Sequence, residues 1–428
     1  MSLQEMLRSL IQLSGRACHL ARIVRQEPEL LKLLVEEKTG GDKNQRFCHD
    51  FKTIADVLIQ EMIRYELETK FPSISGNVFG EETNQFTTQD GQKVTINVDG
   101  NMDPLKHNLA LILKGNELAA DLLAKAVYDL TEDRSTILDL SQIPPGDILN
   151  VTNYGVWIDP IDGTNVYINA KDSPGSNDGE CFKHEGSEKV ISRTGLNCVT
   201  VLIGLFCKST GHPVVGVVGS PFNGHFTMAQ SHHKESHHWA VFLSELPAPI
   251  HCQDIPLEPL PSLSSSCTAE GTSGTGLTVV ISHSEAEHPR IRQLAQSGWR
   301  IAYSSGAGYK QLCVILGLAD IYLLTKGSIY QWDTCGPHAI LRSLGGGVLN
   351  YQKTLSMAER LIRRDLPAAE LTEQLNALQV TYTAKDDLGG EDAVSASDSE
   401  NSYCHRDGVI AYRSQRSLLK LLESFVQS

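Results

Sequence analysis

A chain of 428 residues with 37 Lys and Arg against 51 Asp and Glu, a formal net charge of −14, is too long for one ordinary core and too acidic to take a nucleic-acid backbone as its main partner. The 10 cysteines are scattered without a CxxC pair and no secretory leader is evident, so they are expected to be reduced thiols of a cytoplasmic protein. No apolar run approaches the roughly eighteen residues of a membrane span, and none is expected.

In chain order, Leu3, Leu7, Leu10 and Ile11, then Leu20, Ile23 and Val24, then Leu30, Leu34 and Val35 recur at helical intervals, which predicts one or two helices over residues 3–38. A further helix is expected from Asp50 to the residue before Pro72, with Ile54, Val57, Leu58 and Met62 along one face. VTINVDGN (94–101) alternates as a strand between flanks that read as turns, NQFTTQDGQK and GNMDPLKHN, and Asn116 to Tyr128 is helical in pattern. LNCVTVLIGLF and HPVVGVVGSPF are β-branched runs on either side of KSTG and predict an antiparallel pair.

After the low-complexity tract 256–276, strand and helix alternate through LTVVIS, SEAEHPRIRQLAQS, RIAYSS, YKQLCVILGL, ADIYLLT, GPHAILRSL and GGVLNY. That alternation predicts an α/β unit. The expected architecture is a layered α+β and α/β fold in two domains, an N-terminal one over residues 1–275 and a C-terminal one over 276–428. Residues 357–379 read as an inserted helical region, 169–194 as a long polar insertion and 385–403 as an acidic, Ser-rich loop. No internal repeat is present.

VWIDPIDGT (156–164) starts as a buried strand, and Pro160 is expected to end its ladder so that Asp159 sits at the carboxyl end and Asp162-Gly163-Thr164 opens a new element. Two acids three residues apart can cap backbone amides or bind a cation, and locally both readings stay open. Glu81 and Glu82 in GNVFGEETNQF, Asp333 in IYQWDTCGPH and Asp56 in FKTIADVLIQE are each ordinary alone: a surface pair, a helix N-cap and an acid beside an apolar helical face. Cys335 and His338 follow Asp333 on the same helix and read as structural.

Together the order GEE, WIDPIDGT and WD followed by GPHAILRSLGGG resembles the lithium-sensitive, magnesium-dependent phosphatase family that includes the inositol monophosphatases. DFKTIADVLIQE, FGEE, NCVTVLIG, GAGYK and GVIAYRS extend the likeness, with gaps, across nearly the whole chain, and resemble most the branch acting on inositol polyphosphates. The resemblance implies a sugar-phosphatase fold and two or three Mg²⁺ ions with Li⁺ as inhibitor. It implies Asp159 bridging two ions, Glu81 and the Ile161 carbonyl completing one site, Asp162 and Asp333 holding the other, and Glu82 and Asp56 near the first or a third. Thr164 paired with Asp56 would orient the attacking water and accept its proton, with Glu82 close by, and no phospho-enzyme would form.

Substrate contacts implied by the same likeness are Asp162, Gly163, Thr164, Ser284, Gly306, Ala307, Lys310 and Asp333. The expected substrates are inositol phosphates, with removal of the 1-phosphate from inositol 1,4-bisphosphate and inositol 1,3,4-trisphosphate; no nucleic-acid or obligate protein partner is expected. Ala286, where the family pattern has lysine, and Gly163, where it commonly has serine, keep a 3′(2′),5′-bisphosphate nucleotidase or an inositol monophosphatase as alternatives. A catalytically dead inositol-phosphate-binding relative would lack a metal carboxylate, and none is missing.

Overall fold

The computed structural model describes residues 3–26, 31, 34–38, 51–88, 90–129, 151–170, 181–183, 190–222, 237–242, 250–253, 276–363, 366–383 and 403–426. The low-complexity tract up to 275, the acidic loop up to 402 and most of the 169–194 stretch lie outside those residues.

The first helix, α1, covers Leu3–Gln26 and is followed by strand β1 (Val35–Glu37). The helical expectation over 3–38 therefore fails at its end. Val35 pairs with Thr53 of strand β2 (Phe51–Thr53), and edge pairing overrides the local periodicity. That same strand delays α2 to Ile54–Lys70 instead of Asp50, with Thr53 as its N-cap and Asp56 completing a capping box.

Strands β3 (Val78–Gly80), β4 (Gln85–Thr87) and β5 (Lys93–Thr95) come next. Two turn readings are corrected here. Gln85–Thr87 is a strand hairpinned to Lys93–Thr95, which stops short of 96–101. GNMDPLKHN enters helix α3 (Met102–Ile112), because Asn101 accepts from the Asp103 N–H and Pro104 suits a first turn: residues that make turns also start helices. Helix α4 is Glu117–Tyr128.

Strand β6 runs Tyr154–Asp162, followed by α5 (Thr164–Asn169), β7 (Cys181–Lys183), β8 (Val190–Ser192), β9 (Thr200–Cys207), β10 (Pro213–Ser220), β11 (His237–Phe242) and β12 (Ile250–Gln253). The first main sheet has the order β12-β11-β10-β9-β6-β3, with the expected antiparallel pair at β9 and β10. Pro160 does not end β6. Asp159 pairs with Leu202 and Asp162 with Thr200, so the register slips between them. The proline, which cannot donate to the ladder, sits in that bulge and re-aims the two acids.

The remaining elements are β13 (Thr278–Ile281), α6 (Pro289–Gln296), β14 (Arg300–Tyr303), α7 (Ala307–Ile315), β15 (Ile321–Leu324), α8 (Gln331–Ser343), β16 (Gly347–Asn350), α9 (Tyr351–Ser356), α10 (Ala358–Leu361), α11 (Ala368–Ala377), β17 (Val409–Tyr412) and α12 (Gln415–Val426). Their sheet is mixed, in the order β14-β13-β15-β17-β16, parallel on one side and antiparallel around β17. The expected layered α+β and α/β class is what the chain adopts.

Three apolar clusters define the layers. Leu7, Val57 and Ile203 join α1 and α2 to the first sheet, Trp157, Leu312 and Ile340 fill the space between the sheets, and Val279, Leu294 and Leu421 cover the second sheet's outer face. Helix α8 lies directly on the first sheet. A Cβ on Gly204 would fall 2.5 Å from the Gly336 amide and one on Gly216 1.9 Å from its carbonyl, so glycine on both surfaces permits this approach.

Candidate active site

The acids converge on a cavity of about 1060 Å³ between the two sheets, lined by Glu81, Asp159 and Asp162 from one side and Asp333 from the other. Carboxylate oxygens of Asp159, Asp162 and Asp333 lie within 4.8 Å of one another, and all three residues are buried. Burial raises Asp159 and Asp333 well above the usual carboxylate range, and repulsion from Glu81 and from Asp162 adds to it. Three buried anions so close oppose joint ionisation unless positive charge joins them.

Each acid is held differently. Asp162 Oδ1 accepts from the Ala307 N–H at 3.0 Å, and its Oδ2 accepts from the Gly308 N–H at 2.8 Å and Thr200 Oγ1 at 3.1 Å. Burial raises it, while Lys310 and those amides pull it back. Asp333 is not the N-cap expected from its sequence position: Tyr330 is, and Asp333 at N3 accepts the Tyr330 N–H at 2.6 Å. Pro337 lies inside the helix. Asp159 Oδ1 is buried with no hydrogen-bond partner, an orphan acceptor that a hard cation would satisfy. The donor set therefore fits divalent oxygen-ligated ions.

Glu81 also lines the cavity, but its Oε1 is ion-paired to Lys38 Nζ at 2.8 Å, outside the three-carboxylate group. Lys38 also pairs with Glu82 Oε1 at 2.6 Å. Burial pushes Glu82 up to about 8 despite that amine, and Asp56 up to about 7. Neither Asp56 nor Glu82 lines the cavity; both sit behind its wall. Sequence reasoning missed Lys38, because nothing in EEKTGG distinguishes a buried counter-ion from a surface lysine.

The expected Thr164–Asp56 pair is not formed. Asp56 Oδ2 accepts from the Thr53 N–H at 2.7 Å and Thr53 Oγ1 at 2.6 Å as part of the α2 capping box, and Thr164 Oγ1 donates to the Ile161 carbonyl at 3.0 Å. Gly163 adopts φ +87°, a left-handed conformation that places the Thr164 helix start against the cavity. Ser284, Gly306, Ala307 and Lys310 all line the cavity. Lys310 is buried, donates to the Gly306 carbonyl at 2.6 Å and lies 5.4 Å over the Tyr322 ring; burial lowers its basicity. Cys335 packs in the core, and His338 bonds Tyr382 at 2.9 Å and Gln379 at 2.8 Å, the structural roles expected of both.

A model of the inositol monophosphatase family matches residues 116–385, a span that contains Asp159, Asp162 and Asp333. The chain belongs to that family. Its relatives include inositol polyphosphate 1-phosphatase of Bos taurus, 36% identical over 99% of this chain and 98% of the relative, and that of Homo sapiens, 34% identical over 100% and 98%. A 3′(2′),5′-bisphosphate nucleotidase of Dictyostelium discoideum is 27% identical over 50% of this chain and 55% of its own. As a member of the inositol monophosphatase family the protein is a phosphatase, and the family's metal dependence agrees with the buried acidic cluster. Among the described residues no helix is long and apolar enough to cross a membrane.

Proposed function

We propose that the protein removes the 1-phosphate of inositol 1,4-bisphosphate and inositol 1,3,4-trisphosphate in the cytoplasm, with Mg²⁺ required and Li⁺ inhibitory. The observation that carries this reading is full-length similarity to inositol polyphosphate 1-phosphatases, set beside the retained Glu81, Asp159, Asp162 and Asp333. The active site would lie where residues 1–275 meet residues 276–428, the two domains of the proposal.

In this reading Asp159, Glu81 and the Ile161 carbonyl would hold one ion, and Asp159, Asp162 and Asp333 the other, with Asp56 and Glu82 behind these ligands. When bound, magnesium supplies the positive charge that a phosphoryl group and its leaving oxygen require and makes water more acidic. The backbone at Gly163 and Thr164 orients the scissile phosphate, and Ser284, Gly306, Ala307 and Lys310 bound the sugar side. Thr164 would release the Ile161 carbonyl, turn its hydroxyl toward the attacking water and pass a proton on to Asp56. Asp56 suits that task as a buried carboxylate whose Oδ1 has no hydrogen-bond partner and can accept a proton.

Similarity to a bisphosphate nucleotidase over half the chain supports a second reading on the same site. Phosphate release from inositol 1,4-bisphosphate, inositol 1-phosphate and adenosine 3′,5′-bisphosphate decides between them. Preference for inositol 1,4-bisphosphate is the expected result, and a higher kcat/KM on the nucleotide would replace the first reading by the second.

A further inference from the structure

The lining of the cavity carries cations as well as carboxylates. Residues Thr325 to Tyr330, the loop between β15 and α8, line it beside Arg406 from the segment before β17. The two segments are clamped together: the His405 N–H donates to the Ile329 carbonyl at 2.9 Å, and Tyr330 bridges to Cys404. Gly327 lies so close to Arg406 that a Cβ there would sit 2.4 Å from the arginine's Cα. Lys326 and Arg406 are thereby brought to one patch of wall.

Lys326 is anchored from beneath. Glu285 is buried, with Oε2 taken by the Thr325 N–H at 3.0 Å and by the Thr325 hydroxyl, while its Oε1 faces Lys326 Nζ at 3.4 Å. The Lys326 side chain is 46% exposed. One loose contact to the carboxylate leaves an ammonium with three donors able to reach a ligand. In a chain of net charge −14, two cations gathered on the lining of the cavity that holds the acids form an anion-attracting patch inside a concave site.

We propose that Lys326 and Arg406 form a second phosphate subsite that selects a substrate carrying a phosphate besides the one removed. This rests on the proposed reading of the cavity as a phosphomonoesterase site. A cavity of about 1060 Å³ has room for a phosphorylated ring with a second phosphate pointing at that wall. Arginine meets phosphate in a bidentate fork and lysine as a point charge, so the pair supplies both fixation and attraction. Discrimination then comes from KM: a monophosphate leaves the patch unused and gains nothing from it.

The test compares kcat/KM of wild type, Lys326→Ala, Lys326→Glu and Arg406→Gln on inositol 1,4-bisphosphate and inositol 1-phosphate with Mg²⁺. Each variant should lose about tenfold more on the bisphosphate than on the monophosphate, chiefly through KM, with Lys326→Glu the most severe. Equal losses on both substrates, or no loss on either, would overturn the subsite. If wild type turns over neither inositol phosphate, the proposed function fails by itself, and the same variants on adenosine 3′,5′-bisphosphate and adenosine 3′-monophosphate decide the subsite by the same ratio. Circular dichroism of each variant confirms that the fold is kept, since Lys326 and Arg406 are exposed and removing them opens no core cavity.

Discussion

Gly308 donates its N–H to Asp162 Oδ2 at 2.8 Å, so an acid from the end of β6 caps the start of α7, a helix that packs against the other sheet. One carboxylate thus both joins the two halves and faces the cavity. Asp162→Asn keeps one acceptor oxygen but turns an amide donor toward the backbone N–H groups of Ala307 or Gly308. We expect turnover to fall by about a thousandfold and stability by about 1–3 kcal/mol, the cost of an unsatisfied buried donor. Phosphate release and chemical denaturation measure both. Near wild-type turnover would remove Asp162 from the proposed metal set.

Asp159→Asn should behave in the opposite way for stability. Asp159 is buried, its Oδ1 has no partner, and repulsion from Glu81, Asp162 and Asp333 opposes its ionisation. A neutral isostere relieves that repulsion, so in chelator the variant should unfold at a higher temperature than wild type while its turnover is lost. Magnesium should raise the melting temperature of wild type and leave the variant nearly unmoved, because stabilisation follows ligand binding to the folded state. A variant that melts lower in chelator and still responds to magnesium would contradict this.

The pH dependence without metal follows from Asp56 and Glu82, raised to about 7 and about 8 chiefly by burial. Between their ordinary values and these, the folded chain holds protons that the unfolded chain has released. Their stability contribution is therefore greatest at low pH and lost as pH rises through the folded values. Buried His338 and half-buried His405, held below their ordinary value by burial, oppose that trend below about pH 6.5. From pH 6.5 to 8.5 Asp159, Asp162 and Asp333, also raised by burial, act in the same direction, so thermal stability in chelator should decline across that interval and flatten once magnesium is added. A flat profile in chelator would show that these acids are ionised in the folded protein.

How much of this was legible beforehand depended on whether an interaction was local. Asp159, Asp162 and Asp333 were ambiguous or ordinary one by one and formed a set only through the family resemblance of their strings, and the structure brings them within 4.8 Å. The bulge at Pro160 was not legible, because the slip is defined by Thr200 and Leu202 on another strand. Nor was β1, whose pairing partner is the separate segment Phe51–Thr53, or the burial of Lys38, which depends on Glu81 and Glu82 folding over it. The misplaced start of α8 has the same origin: Asp333 looks like an N-cap by type, and only the backbone shows Tyr330 in that position.

Thr53 and Thr164 now compete for one role, and a double-mutant cycle separates them. In the structure Thr53 holds Asp56 through two hydrogen bonds and Thr164 is turned to the Ile161 carbonyl. Thr53→Ala removes the hydroxyl arm of a capping box and should cost about 1 kcal/mol of stability, with kcat changed only modestly. Thr164→Ala should lower kcat by about a hundredfold, within the range of lost proton-transfer assistance, with little change in melting temperature. If Thr164 passes its proton to Asp56 during turnover, Thr164→Ala and Asp56→Asn remove the same step, and the double variant is no slower than the worse single one. Full additivity of the two losses would mean that Asp56 does not receive the proton, and that its capping bonds to Thr53 persist through the reaction.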